Sequence, residues 1–358
     1  MKRIALILLL CLLLGGCAAA EAPAPTPTPT PTPAPSPTPL PTPEPLIING
    51  ESFAIRDGSV DLHGCALSNE EKLALLSAHP DISFHWEVDV LGVMADSADE
   101  YICLDDVPME STEALEELLP LLPHVKKIDM CRCGIGNEEM YQLNQRHEDI
   151  RFIWIAPLGS SAQRTDITSF NHNGVGMLCN LYDARLDTDL RYFPDLIALD
   201  LGHSTVAIQR CDWLKHTPRL QYLILADCMI SDVSPIGELS ELRYLELFTN
   251  AWLEDISPLG KLKKLETLNL SVTGIRDVSA LEGCEALKSC WLNCCWNLPY
   301  EAVETLAANR PDCLINCASA SPTSGGWREQ DIYFEMRDAF HAPYMKGDDG
   351  RTNKLNEE

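Results

Sequence analysis

The sequence predicts an α/β solenoid, in which short parallel β-strands line a concave face and short 3-10 or α turns form the convex face. Between residues 196 and 298 a Leu-x-x-Leu-x-Leu pattern returns about every 22 residues, for example at 220–225 and 265–270. Turn sequences such as Asp-Val-Ser-Pro at 232–235 follow the copies. A unit this short cannot bury its apolar side chains alone, so the copies must stack as consecutive coils.

Each repeat is expected to run through a strand, a turn and a short helical segment. Alternation along the strand directs Leu223 and Leu225 into the coil, and Tyr222 and Ile224 outward. The next polar or thiol residue sits where the chain turns, and its side chain is expected to satisfy backbone groups inside the coil. These positions are Cys228, Asn250, Thr273 and Cys295. The Asp-Val-Ser-Pro sequence then begins a convex turn, because proline presets a helical φ.

A second duplication precedes the repeats and predicts a helix-bearing module. Residues 60–86 and 128–154 share a strand, an Asn-Glu-Glu helix start, a helix and a second strand. A degenerate third copy at 298–315 is expected to cap the open end of the core. The predicted organisation is a signal peptide with lipobox at 1–17, a Pro/Thr-rich stalk at 18–45, the duplicated α/β module at 46–158, an irregular connector at 159–195, the repeats and C-terminal cap at 196–317, and a tail at 318–358.

The tail joins a Ser/Thr/Gly loop to an aromatic stretch. Trp327, Tyr333, Phe334 and Met336 predict a short amphipathic helix that docks onto the cap, where its aromatic side chains complete the core. The alternative is a separate helix that binds a partner.

The N-terminus predicts export and a lipid anchor. Lys2 and Arg3 precede an apolar run that is too short to span a membrane and is typical of a cleaved signal. The sequence Leu-Gly-Gly-Cys that ends at Cys17 resembles the lipobox of bacterial lipoproteins, which implies acylation of Cys17. The alternative is an ordinary secretory signal with an incidental cysteine. Residues 18–45 are mostly Pro, Thr and Ala, a composition that favours an extended stalk.

Net charge restricts the class of partner. The chain carries −26, and removal of Lys2 and Arg3 with the signal lowers this to −28. Such acidity argues against nucleic acid and against anionic lipid or wall polymers, and it favours a neutral or basic partner. The alternative explanation of the acidity is solubility alone. Contact with the membrane is expected only through the N-terminal lipid, and the protein is expected to be a monomer.

Catalytic and metal-binding motifs are absent from the sequence. It contains no His-Glu-x-x-His, no Gly-x-Ser-x-Gly and no glycine-rich phosphate loop, so the prediction is a protein that is not an enzyme and has no cofactor. The chain has 15 cysteines, several of them at repeat positions, which indicates buried filler and not a metal site. One or two disulfides remain an alternative in an exported chain.

The repeat pattern resembles a known family. Leu-x-x-Leu-x-Leu-x-x-Asn/Cys followed by Asp-Ile-Ser-Pro-Leu is similar to the internalin-like, 22-residue subfamily of bacterial leucine-rich repeat proteins. The flanks at 127–134 and 325–337 resemble those of a group of bacterial leucine-rich repeat lipoproteins. Internalins bind host receptors through aromatic residues of the concave face, which implies that the same positions are candidates in this chain.

The outward strand positions define that candidate face. Aromatic side chains on adjacent strands form a column, and exposed Tyr and Trp are frequent interface anchors. The predicted partner-binding residues are Tyr222, Ile224, Tyr244, Glu246, Phe248, Asn269, Trp291 and Asn293. The predicted function is a lipid-anchored, surface-exposed protein outside the cytoplasm that binds a protein or peptide. Two alternatives stay open: the tail folds back and covers these residues, or the protein is a structural envelope lipoprotein or a binder of wall glycan or peptide.

Overall fold

A computed structural model describes residues 44–159, 161–171, 183–203 and 210–341. The predicted signal peptide, Cys17, nearly all of the stalk and the polar end of the tail lie outside the described residues. In the part of the chain that the structure describes, no helix is both long and apolar enough to cross a lipid bilayer.

The secondary-structure elements follow one another in short segments. The strands are β1 Leu46–Ile48, β2 Glu51–Phe53, β3 Ser59–Asp61, β4 Ser83–His85, β5 Glu87–Val90, β6 Val93–Asp96, β7 Tyr101–Cys103, β8 Lys127–Asp129, β9 Arg151–Ile153, β10 Ile155–Leu158, β11 Ser161–Arg164, β12 Ser169–Asn171, β13 Ala198–Asp200, β14 Tyr222–Ile224, β15 Tyr244–Glu246, β16 Thr267–Asn269, β17 Ser289–Trp291 and β18 Leu314–Asn316. The α-helices are α1 Asn69–Ala78, α2 Glu113–Leu118, α3 Asn137–Arg146, α4 Asp183–Asp189, α5 Tyr300–Asn309 and α6 Asp331–Ala339.

Strands β12 to β18 form one parallel sheet of seven strands in chain order. Each strand pairs with the next without offset, so Leu223 lies beside Leu245 and Leu245 beside Leu268. These inward leucines are fully buried. The predicted leucine-rich repeat solenoid is therefore confirmed, with parallel strands on one face and short 3-10 turns such as Ser257–Lys261 on the other.

Close packing of the convex turns requires glycine. A Cβ placed on Gly283 would lie 2.5 Å from the carbonyl oxygen of Gly260, one coil away, and a Cβ on Gly260 would lie 2.8 Å from the carbonyl oxygen of Ala280. Real Cβ atoms do not approach an oxygen so closely, so any larger residue at either position would push adjacent coils apart.

The turn residues hydrogen bond to backbone groups inside the coils, as predicted, and several of them reach the preceding coil. The Cys133 thiol donates to the carbonyl of Leu104 at 3.0 Å, and the Cys228 thiol donates to that of Leu201 at 3.1 Å. Each carbonyl belongs to the residue immediately after the preceding strand of the ladder. Carbonyls at the equivalent position accept from Asn250 Nδ2 (Leu225, 2.8 Å) and from the Cys295 thiol (Leu270, 3.2 Å). These side chains satisfy carbonyl groups that the solenoid buries away from water.

The N-terminal module is a duplication with a constant offset of 68 residues. Strand β3 recurs as β8, helix α1 as α3, and β4 as β9, as the sequence predicted. The duplication also extends further than predicted, because hairpin β5–β6 recurs as β10–β11 and strand β7 recurs as β12. Both hairpins close in the same way: Trp86 N donates to Ser97 Oγ and Trp154 N donates to Thr165 Oγ1, each at 3.2 Å.

The predicted irregular connector is partly regular. Strand β12 lies within it and pairs with β13, and Phe170 aligns with Leu199. Buried Phe170 supplies the inward apolar residue that the repeat pattern places at a leucine, which explains why periodicity in leucine alone did not reveal this strand. The parallel sheet thus begins one strand before the first predicted repeat, and one continuous core runs from Ile48 to Leu306.

We predict that Asn250→Ala destabilises the solenoid. Asn250 is fully buried, accepts from the amides of Cys228 (3.1 Å) and Ile230 (2.9 Å), and donates to the carbonyls of Leu225 and Leu247, both at 2.8 Å. Its loss leaves several buried backbone groups unpaired, which should lower the free energy of unfolding by about 3 kcal/mol in a urea titration. The matched control is exposed Asn297→Ala, expected within about 0.5 kcal/mol of wild type. Equal effects of the two changes would contradict the proposed role of the turn residues.

Candidate functional site

The outward side chains of the parallel sheet form two columns, because the strands pair without offset. The first column contains Ala198, Tyr222, Tyr244, Thr267 and Ser289. The second column contains Asp200, Ile224, Glu246, Asn269 and Trp291. The first therefore changes from aromatic to hydroxyl side chains along the solenoid, while the second mixes apolar, acidic, amide and indole groups.

The chain after β18 folds back over these columns. We call residues 317–341 the C-terminal segment; it comprises a loop, the 3-10 helix Trp327–Glu329 and helix α6. Tyr244, Trp291 and Trp327 are fully buried, and Tyr222 is 5% exposed. Together with Ile332, Tyr333, Phe334 and Met336 from α6, these side chains form a second core cluster, distinct from the leucine core inside the coils.

The prediction that the concave aromatics are open to a guest is therefore wrong for the described structure. Six of the eight predicted partner-binding residues, Tyr222, Tyr244, Glu246, Asn269, Trp291 and Asn293, are buried. The other two, Ile224 and Phe248, are half-buried. The physical reason is that a row of Tyr and Trp and an amphipathic helix in the same chain each expose apolar area, and both lose it from water when they pack together. The predicted helix exists, but it docks on the concave face and not on the cap.

Trp327 fills a notch in the centre of the face. Its indole lies 5.4 Å from the Tyr244 ring and 5.1 Å from the Trp291 ring, measured between ring centroids, and the latter pair is edge-to-face. Its Nε1 donates to Glu246 Oε1 at 3.1 Å, and the Tyr244 hydroxyl donates to the same carboxylate. Aromatic packing and a hydrogen bond to an ionisable group thus hold one side chain of the segment.

Three side chains of the face hold the main chain of the loop. Trp291 Nε1 donates to the carbonyl of Ser324 at 2.8 Å. Asn269 Nδ2 donates to the carbonyl of Pro322 at 2.9 Å, and Asn293 Nδ2 donates to that of Ser321 at 3.2 Å. Asn293 Oδ1 also accepts from the Ser319 amide at 3.0 Å. We call Trp291, Asn269 and Asn293 the backbone clamp.

Helix α6 contacts the basic side chain of Arg243, which directly precedes strand β15. Arg243 forms an ion pair with Glu335 of α6 at 2.9 Å and with Glu266 of the solenoid at 2.6 Å. Its guanidinium also donates to the Tyr222 hydroxyl at 3.0 Å. At the start of the helix, Gln330 accepts a hydrogen bond from the Ser289 hydroxyl.

The buried carboxylate of Glu246 opposes this contact electrostatically. Burial raises the pKa of its carboxyl, and nearby Asp200 raises it further, while hydrogen bonds from Tyr244 and Trp327 act in the opposite direction. Arg328 also lowers that pKa by its charge, but no Lys or Arg in the described ranges forms an ion pair with the carboxylate. Burial likewise raises the pKa of Tyr244 well above its ordinary value. Closure of the segment thus removes a carboxylate from water without an ion pair within the described ranges to offset the cost.

Two exposed tryptophans lie elsewhere in the repeats. Trp252 is 71% exposed and Trp296 is 76% exposed; each follows a turn residue, Asn250 or Cys295 respectively. Neither is among the predicted partner-binding residues, although their position after the turn residue places them away from the core. They are apolar surface that the C-terminal segment leaves uncovered.

The cysteines of the described ranges are all free thiols, twelve in number. Among all residues that the structure describes, no group of three or more His, Cys, Asp or Glu side chains could hold a metal ion. Cys133, Cys228 and Cys295 have the turn role described above. Cys284 and Cys290 are buried, and burial raises the pKa of the Cys284 thiol to about 11.

Comparison with known proteins finds resemblance in solved structures alone. No family model matches the chain, and no curated protein matches it. The internalin C2 of Listeria monocytogenes is 20% identical, with 38% of this chain and 70% of that chain covered and a TM-score of 0.30. The internalin inlF of the same organism is 15% identical, with 79% and 89% covered and a TM-score of 0.33. A leucine-rich repeat protein of Leptospira interrogans is 13% identical, with 66% and 64% covered and a TM-score of 0.33.

We predict that docking of the C-terminal segment weakens as pH rises, and that Glu246→Gln removes much of this dependence. The pKa of Glu246 is higher in the closed form than its ordinary value of 4.5. The contribution of Glu246 to closure is therefore fully present below about pH 4.5 and is lost as pH increases through the raised pKa. Hydrogen exchange of the α6 amides, corrected for the intrinsic rate, should show protection that falls with pH in the wild type and changes less in the variant.

The control for this experiment is Glu238→Gln. Glu238 is exposed and pairs with Lys261 on the convex side, away from the segment. The substitution removes one carboxylate of the same type at a site that does not contact α6. Identical pH profiles for the wild type and Glu246→Gln would show that other groups control closure.

Proposed function

We propose that the protein is a lipid-anchored, surface-exposed leucine-rich repeat protein that binds a protein or peptide partner through its concave face. One observation carries the proposal: this face already holds a peptide segment of its own chain. The backbone clamp and the Trp327 notch hold that segment by hydrogen bonds and ring contacts. A surface that binds a segment from the same chain has the shape and donors to bind one from another chain.

The same arrangement makes the C-terminal segment a competitor of the partner. A tethered segment has a high effective concentration, in the roughly millimolar range for a short flexible linker, so a partner must bind more tightly than the segment does. Burial of the Glu246 carboxylate limits how tightly the segment is held, because its desolvation opposes closure. We propose that partner binding and segment release are one exchange reaction.

The proposed location depends on the N-terminus. Cys17 in its lipobox-like sequence supports a lipid anchor, and the Pro/Thr-rich residues 18–45 support an extended spacer between that anchor and the solenoid. We propose a monomer displayed outside the cytoplasm, with no membrane contact besides the lipid.

A second candidate is a structural envelope lipoprotein with no discrete ligand at this face. The complete burial of Trp327 favours it, because a permanently closed face would act as a second core. The two candidates differ in one measurable property, which is whether the segment leaves the face in the folded protein.

An exchange experiment separates them. A protease site inserted between Cys317 and Ala318, both exposed, allows the loop to be cut after the full chain has folded. We expect the cut chain to bind a fluorescent peptide of residues 318–341 as its own segment dissociates, because the tether no longer favours the resident copy. Fluorescence anisotropy measures this binding.

The uncut chain with the same inserted site is the control. It should bind the labelled peptide far more weakly, since the resident segment stays tethered. Failure of the cut chain to exchange at any peptide concentration would reject the peptide-binding proposal and favour the structural role. Equal binding by cut and uncut chains would indicate contact outside the concave face.

A further inference from the structure

We infer that the partner presents a turn of backbone, then a tryptophan, then a short amphipathic helix with a carboxylate on its solenoid-facing side. This inference rests on the proposed function and specifies its partner. It follows from what each part of the concave face requires of the segment that now occupies it.

The backbone clamp selects a turned main chain: the Ser324 amide donates to the carbonyl of Ser321 at 3.3 Å, and Gly325 has a φ of 75°. All three of its donors, the Trp291 indole N–H and the amides of Asn269 and Asn293, go to carbonyl oxygens of residues 321–324. Every peptide offers such carbonyls, so this part of the face recognises conformation. Asn269 is also held from the solenoid side, because its Oδ1 accepts from the Ser271 amide at 3.0 Å.

The notch selects tryptophan by shape and by its N–H group. The space between Tyr244 and Trp291 holds the fully buried indole of Trp327. The Glu246 carboxylate at the notch accepts from Trp327 Nε1, so an occupant without a donor would leave that oxygen buried with one partner fewer. Phenylalanine matches the ring contacts and lacks the donor. Tryptophan supplies both.

The helix end of the face selects an acidic residue. Arg243 is held by Glu266 and by the Tyr222 hydroxyl, and its third contact is Glu335 on α6. A lysine in place of Glu335 would put a second positive charge beside this guanidinium. The acidity of the whole chain favours a basic partner, but the side chain that pairs with α6 at this site, Arg243, is basic. We therefore assign an acidic helix to this face.

Competition on the cut chain tests these requirements separately. Unlabelled 318–341 peptides would compete with the labelled one: wild type, Trp327→Ala, Trp327→Phe, Glu335→Gln and Glu335→Lys. We expect Trp327→Ala to compete at least about 30-fold more weakly, as for a central tryptophan anchor. Trp327→Phe should fall between Trp327→Ala and wild type. Because the ion pair is partly exposed, Glu335→Gln should weaken competition about 2- to 5-fold, and Glu335→Lys should weaken it more.

Matched control peptides show whether each effect is specific to the contact that was changed. Glu329→Gln removes an exposed carboxylate from the 3-10 helix and should leave competition within about twofold of wild type. A peptide of the same composition in scrambled order should not compete. The effect of Glu335→Gln should also shrink at high salt, because added ions screen the pair with Arg243.

The results distinguish this inference from the proposed function. If the wild-type peptide exchanges but Trp327→Ala competes equally well, the face binds peptides without requiring tryptophan and the inference is overturned. Equal weakening by Glu329→Gln and Glu335→Gln would overturn the assignment of an acidic helix. If no peptide exchanges at all, the proposed function itself fails.

Discussion

The structure depends on one constraint, the pairing of successive strands without offset. Because Tyr222 lies beside Tyr244, and Leu223 beside Leu245, every inward residue joins a common core and every outward residue joins a column. The turn residues reinforce this register, since the Asn250 amide and the Cys228 thiol donate to carbonyls of the preceding coil. A shift of one residue in any coil would exchange the buried and outward side chains along it. The columns, the notch and the clamp all follow from this arrangement.

The protein consequently has two cores of different kinds. The first lies inside the coils, is mainly aliphatic with aromatic members such as Trp86 and Trp213, and is continuous from the N-terminal module to helix α5. The second lies on the concave face, is largely aromatic, and takes most of its members from the C-terminal segment. Polar contacts, including the Arg243–Glu335 pair, surround the second core. Separation of the two means that the contacts of the segment are not shared with the leucines that hold the coils together.

The sequence predicted most of the first core. For the aromatic side chains of the second core it predicted exposure, whereas they are buried. Period, strand alternation and turn chemistry identify the inward residues, because a leucine such as Leu245 has only one suitable environment. An outward residue such as Tyr244 gives the same pattern whether water, a partner or another segment covers it. The amphipathic stretch that includes Trp327 and Phe334 predicted a docking helix, but periodicity does not specify the surface on which a helix docks. The extended duplication was missed because its two hairpins share strand pairing and spacing, whereas their residues differ.

Glu246 connects the second core to the function that we propose. A purely apolar column at this site would hold the segment by burial alone and would form part of a permanent core. A buried carboxylate with two donors and no ion pair in the described ranges opposes that burial, because its hydration is lost on closure. The same carboxylate regains water when the segment leaves. The face therefore combines strong aromatic attraction with an electrostatic penalty at its centre, the combination that an exchangeable ligand requires and a static core does not.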